Sequence, residues 1–215
     1  MKKIITISRE FGSGGRELGK RLAEILKIAY YDQEILTGIA QKSGLAEEYV
    51  KSIVEKKAFV YYPVTIGGTF SATFNPQLEI NTKIYAEQSN IIKELASKSD
   101  CMMIGRCSDY ILREYNPFKI FVYADMDSRL RRCRQRAPED EHLSDVEMKN
   151  RIRGIDNDRA RYHKFLTGQI WGAKENYTLC INTSNTEIKD IALPIAELLK
   201  AMLYASKRQV NHTED

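Results

Sequence analysis

A β-branched run, Ile4-Ile5-Thr6-Ile7, passes into the glycine-rich loop Glu10-Phe11-Gly12-Ser13-Gly14-Gly15-Arg16. After it, Leu18, Leu22, Ile25 and Leu26 recur at helical spacing. An uninterrupted apolar run of this length is a strand buried on both faces, and the recurrence near 3.6 residues that follows is an amphipathic helix. Ile28-Ala29-Tyr30-Tyr31 returns as a second strand ending at Asp32, so the chain opens with a βαβ unit. Parallel neighbours need a crossover, and that crossover is right-handed. The glycine loop is therefore placed at the carboxyl edge of a parallel sheet, where ligands of such sheets bind.

The rest of the chain continues the alternation. Cys101-Met102-Met103-Ile104, stopped by Gly105, reads as a third strand, Ile120-Phe121-Val122-Tyr123 as a fourth and Thr178-Leu179-Cys180-Ile181 as a fifth. Between them, Ile84, Ile91, Ile92 and Leu95 mark one helix. Ser144 with Glu147 three residues on is a capping box opening a longer one, which carries Val146, Ile152 and Ile155 around Gly154. Ile188, Ile191, Ile195, Leu198, Leu199 and Met202 mark a final helix containing Pro194. Strands alternating with helices predict an α/β fold, a five-stranded parallel sheet flanked by helices.

At 215 residues, 43% apolar and 29% charged, the chain fits one compact domain with inserts. The expected division is a single domain over 1–205 and a flexible tail over 206–215. Within the domain, 33–82 is expected to be a substrate-binding insert, aromatic and Thr/Ser-rich from Tyr61-Tyr62-Pro63 to Pro76, and 136–168 a lid region.

The net charge of +4 is too small to imply nucleic acid. The cluster Arg129, Arg131, Arg132, Arg134 and Arg136 is reversed in sign at once by Glu139-Asp140-Glu141, so it is the size of a site rather than of a duplex-binding face. Cys101, Cys107, Cys133 and Cys180 lack CxxC spacing and read as reduced structural thiols. The first strand is far shorter than a signal core or a membrane span, so a cytoplasmic location with no membrane partner is expected. His142, His163 and His212 lack metal-ligand spacing and are expected at the surface. Oligomeric state is not legible.

The loop carries the chemistry. Gly12, Gly14 and Gly15 allow backbone N–H groups, with that of Ser13, to close around a phosphate, and the following helix adds its positive end. The phosphate-loop pattern GxxxxGK[ST] is met only at Gly15; its lysine is Arg16 and its Ser/Thr is Glu17. Arg16 keeps the charge in a flat fork that must meet phosphates differently from an ammonium. Glu17 either ligates Mg2+, directly or through water, or is a surface carboxylate at a helix N-terminus. Asp32 either orients an acceptor or a magnesium-bound water, caps the next helix, or does both.

Taken together, Ser8 to Glu17 followed by Tyr31-Asp32, then Gly105-Arg106, Lys119 to Ala124 and Arg129-Leu130-Arg131-Arg132, resemble the cytidylate-kinase-like branch of the nucleoside monophosphate kinases. The resemblance spans most of the chain. It implies a P-loop kinase fold with helical substrate and lid inserts, ATP and Mg2+ as cofactors, and transfer of a phosphoryl group to a small acceptor such as CMP or dCMP. It implies nucleotide contacts from Gly12, Ser13, Gly14, Gly15, Arg16, Glu17 and Arg129, and closure over the transferring group by Arg16, Arg132, Arg159 and Arg161. Arg106, Arg159, Asp32 and Asp156 are implied on the acceptor, because Asp156-Asn157-Asp158-Arg159 is similar to the family's Asp-x-x-Arg. Where the family has Gly-Arg-Asp, this chain has Cys107. The loss of that charge, and of the lysine and Ser/Thr of the loop, keeps open a second reading as a nucleotide-binding sensor without catalysis. A nucleic-acid module built on the arginine cluster is the weakest reading.

Overall fold

The computed structural model describes residues 2–44, 76–138 and 142–210. Tyr61, Tyr62, Phe70, Phe74, Glu139-Asp140-Glu141 and His212, and most of the expected substrate insert, lie outside the described residues.

The strands are β1 (Ile4–Arg9), β2 (Ala29–Tyr31), β3 (Cys101–Ile104), β4 (Phe118–Tyr123) and β5 (Leu179–Asn182). They form one sheet in the order β2-β3-β1-β4-β5, and every pair is parallel. β1 lies at the centre because it is the strand with apolar or hydroxyl-bearing residues on both faces. Ile4 through Ser8 are all buried. The alternation of its side chains separates two cores. Ile4, Cys101 and Met103 face one side with Ile35, Leu36, Ile39, Ile84 and Ile92. Ile5, Ile7, Met102 and Ile104 face the other with Leu18, Leu22, Ile188, Ala192 and Leu199.

The first core is covered by α2 (Gln33–Ser43) and α3 (Pro76–Lys98), the second by α1 (Gly15–Leu26) and α7 (Ile188–Val210). Proline at the first position of α3 is favourable, since its missing N–H would be orphaned there in any case. α3 thus takes in the end of the stretch expected as an insert. α7 continues through Val210 around Pro194, into the stretch expected as a tail. α4 (Ser108–Ile111) and α5 (Met126–Arg136) follow β3 and β4.

α6 (Asp145–Thr167) opens on the expected capping box. Glu147 N donates to Ser144 Oγ at 3.3 Å, and Ser144 N donates to Glu147 Oε2 at 2.7 Å. Its far half is packed into the body, with Tyr162 and His163 buried. Among the described residues no helix is long and apolar enough to cross a membrane.

Candidate active site

The loops at the carboxyl ends of β1 and β3, together with α5, α6 and Trp171, enclose two adjoining cavities. A cleft of about 700 Å3 is bounded by the glycine loop, Arg132, Arg136, Arg151 and Asp158. A pocket of about 50 Å3 is bounded by Ser8, Arg106, Cys107, Tyr162, His163 and Trp171. Arg9 and Arg159 line both.

The glycine loop is held in shape from below. Gly12 and Gly14 have φ of +78° and +81°, and a Cβ on Gly14 would stand 2.5 Å from Ile188 Cδ1. No other residue type fits there without displacing the side chain that packs α7 onto the loop. Ser13 is fully buried; its hydroxyl donates to Glu10 O at 2.9 Å, and its carbonyl accepts from Thr183 Oγ1 at 2.7 Å. The Ser13 side chain therefore braces the loop. Gly14, Gly15 and Arg16, at the start of α1, line the cleft, and Gly15 N donates to Ser13 Oγ at 3.4 Å.

Arg129, expected on the nucleotide base, is instead buried beneath the loop. Its Nε donates to Phe11 O at 2.7 Å, and its guanidinium pairs with Glu10 Oε2 at 3.3 Å and with Asp156. Asp156 in turn accepts from Phe11 N at 2.8 Å. The pair therefore clamps α5 and α6 to the loop, and the Asp156 carboxylate, expected on the acceptor, is committed to that clamp. Glu10 completes it by accepting from Ala124 N at 3.1 Å.

Burial pushes the Asp156 carboxyl above its ordinary value, against the pull of the Phe11 amide, Arg129 and Arg159. The folded state then binds this proton more tightly than the unfolded chain. The stability it contributes is full below the ordinary 3.8 and is lost as pH rises through the elevated value. The stability difference between wild type and Asp156→Asn, from urea melts between about pH 3.5 and 7, is therefore expected to shift against wild type with rising pH. A difference flat across that range would contradict the burial argument.

Arg132 latches the loop to the segment after β5, through Ser13 O at 3.5 Å, the Thr183 carbonyl and Thr186 O at 2.8 Å, while lining the cleft. Arg159 donates to Arg9 O at 3.1 Å, and its guanidinium lies 5.7 Å over the Phe11 ring. Arg161 does not join it. Arg161 pairs with Asp158, and its own side chain is 61% exposed, because two residues along a helix turn it away from the direction of Arg159.

Arg16 pairs through Nε with Asp32, which is buried and also accepts from Tyr30 Oη at 3.4 Å. Asp32 occupies the N-cap position of α2, yet its side chain makes no capping bond; the arginines claim it. Glu17 pairs with Arg21 at 2.9 Å and with Arg136. Arg131 and Arg136 are exposed, Arg136 at the rim of the cleft, and the half-buried Arg134 pairs with Asp145 at 2.8 Å.

Gly105, Arg106 and Cys107 take φ of +69°, +58° and +52° in succession. Left-handed backbone costs about 1–2 kcal/mol per non-glycine residue, and here it turns Arg106 into the small pocket. Gln88 Nε2 secures the turn by donating to Arg106 O at 2.9 Å. Burial raises the Cys107 thiol well above its usual range, so it presents a neutral wall.

Behind it lies a pair the sequence does not announce. His163, expected at the surface, is buried with Nε2 3.4 Å from Asp109 Oδ2 and Nδ1 3.2 Å from Thr167 Oγ1. Trp171 closes the pocket edge-on to Phe121 at 5.3 Å.

Set beside known proteins, residues 4–185 match the model of the cytidylate kinase-like family. The chain belongs to that family. Among solved structures it is similar to an uncharacterized protein from Eubacterium ventriosum ATCC 27560. The TM-score is 0.65 at 24% identity, over 93% of this chain and 99% of the other. It is also similar to shikimate kinase from Bacteroides thetaiotaomicron, with TM-score 0.54 and 15% identity over 92% and 98% of the two chains. Shikimate kinase from Acinetobacter baumannii in complex with shikimate gives 0.52 and 15% over 94% of each. No curated protein sequence matches. These likenesses show the fold, and membership of the cytidylate kinase-like family supports a nucleotide-dependent kinase.

Proposed function

We propose that this cytidylate kinase-like protein transfers the terminal phosphoryl group of ATP, held in the large cleft, to a small acceptor whose phosphate enters the adjoining pocket. A nucleoside monophosphate such as CMP or dCMP is the leading acceptor. The observation that carries this reading is the meeting of the two cavities at Arg9 and Arg159. Phosphoryl transfer asks a protein for alignment and for positive charge where charge develops, rather than for covalent chemistry. In this reading the loop amides and Arg16 hold the triphosphate and Arg106 grips the acceptor phosphate. Arg159, with Arg132 behind it, faces the junction.

Mg2+ bound with the nucleotide would neutralise the terminal phosphates. Glu17 is the acidic residue of the first turn, and it would serve as a direct ligand only after releasing Arg21 or Arg136. The same ion pairs, with that of Arg16 to Asp32, favour the alternative of a nucleotide-binding sensor without catalysis.

An ATP–magnesium turnover screen separates the two readings. The panel should hold all ribo- and deoxyribonucleoside monophosphates, together with small phosphorylatable metabolites. Shikimate belongs on it because one structural neighbour was solved with it. Acceptor-dependent ADP release supports the kinase; nucleotide binding with no turnover on any acceptor supports the sensor. Arg16→Ala should weaken ATP binding about tenfold or more with the fold retained, though with a lowered melting temperature, because the buried Asp32 loses its nearest cation. Unchanged ATP affinity would remove Arg16 from the phosphate cradle.

A further inference from the structure

Arg9 closes β1 immediately before the glycine loop, where the phosphate-loop pattern assigns no role. Its side chain is 13% exposed and lies 3.9 Å from Asp32, a carboxylate that Arg16 and Tyr30 share. Space for its guanidinium exists because residue 105 has no side chain. A Cβ there would stand 2.0 Å from Arg9 Nη1. No relaxation of so short a contact leaves the guanidinium in place.

Burial and the repulsion of Arg159, Arg106 and Arg16 outweigh the attraction of Asp32, and bring Arg9 down to about 9. It is still a cation at neutral pH, held in a cluster whose repulsion a multiply charged anion would relieve. That cluster sits where the two cavities join.

We propose that Arg9 is a catalytic arginine that grips the phosphoryl group in transit between donor and acceptor, with Gly105 as the residue that admits it. The inference rests on the kinase reading above. In the step concerned, the P–O bond to the leaving diphosphate breaks as a P–O bond to an oxygen of the acceptor phosphate forms. The acceptor reacts as its dianion, so no proton is released. Arg9 supplies two parallel N–H donors to the equatorial oxygens, a geometry that a lysine cannot reproduce.

Four proteins test this: wild type, Arg9→Lys, Gly105→Ala and the double variant, each checked for wild-type far-UV circular dichroism. With the acceptor found by the screen, Arg9→Lys should lose roughly 100-fold or more in kcat while ATP affinity changes less than about threefold. Gly105→Ala should show a comparable or larger loss, since it also strains the turn that carries Arg106, and Arg9→Lys should cost far less in the Gly105→Ala background than in wild type. Arg9→Lys within threefold of the wild-type kcat would overturn the proposal, as would additive losses.

Calorimetric titration with inorganic phosphate provides a readout that needs no turnover. Wild type should bind it at least about tenfold more tightly than Arg9→Lys; equal affinity, or no binding by either, overturns the role of Arg9. If wild type transfers phosphate to no acceptor, the kinase reading fails, and the phosphate comparison still decides whether Arg9 is an anion site.

Discussion

Arg159→Ala is expected to lower kcat by about 10³-fold or more, since an arginine that meets the transferring phosphoryl group is worth roughly 10³–10⁵ in rate. The basis is position: Arg159 borders both cavities, and its guanidinium is steadied by Arg9 O at 3.1 Å and Asp156 at 3.6 Å. A side chain held this way loses little freedom when the substrate arrives, so its interaction is realised largely in the transition state. The measurement is steady-state turnover with the acceptor from the screen, alongside ATP binding. A variant whose KM rises while kcat stays within a few-fold of wild type would reduce Arg159 to uniform ground-state binding. Arg161→Ala is the matched control: its charge is equal, but it points away, and its effect should be small.

Arg129→Met is expected to destabilise the fold by about 3–5 kcal/mol, the usual cost of removing one member of a buried ion pair and leaving its carboxylate stranded. Here Glu10 loses its guanidinium, Asp156 loses the nearer of its two, and Phe11 O loses a donor at 2.7 Å. The check is a urea melt. Arg129→Met/Asp156→Asn should recover part of the loss, because it withdraws one stranded charge. A single variant within about 1 kcal/mol of wild type would mean that the clamp does not hold the loop. Where the fold survives, ATP binding should weaken as well, since the clamp sets the path of Phe11 and Gly12.

Much of the fold was legible in the sequence. β3 matches the reading at both ends, and β1, β4 and β5 lie within two residues of it at each end. Buried parallel strands announce themselves as short apolar runs, and the helices between them by spacing. The capping box at Ser144 is a local signal with a local cause, and it appears as read. The glycine loop was legible for the same reason, because strand, left-handed glycines and helix start are contiguous.

The site was legible only in part. Arg106, Arg132 and Arg159, which the family resemblance implies at the site, border the two cavities. Arg129 and Asp156 were expected on ligands and are clamped beneath the loop, and Arg161 is turned outward. Nothing in the sequence singles out Arg9 or joins His163 to Asp109. The division follows from how such information is carried. The succession of apolar and glycine residues along the chain determined the sheet, its flanking helices and the place of the loop, since each element depends on near neighbours in sequence. Which charges face a ligand and which face each other was decided by tertiary structure alone. Phe11 and Asp156 stand 145 positions apart, as Arg132 and Thr183 stand 51, and a charge buried across such distances settles on whichever opposite group the fold brings within reach.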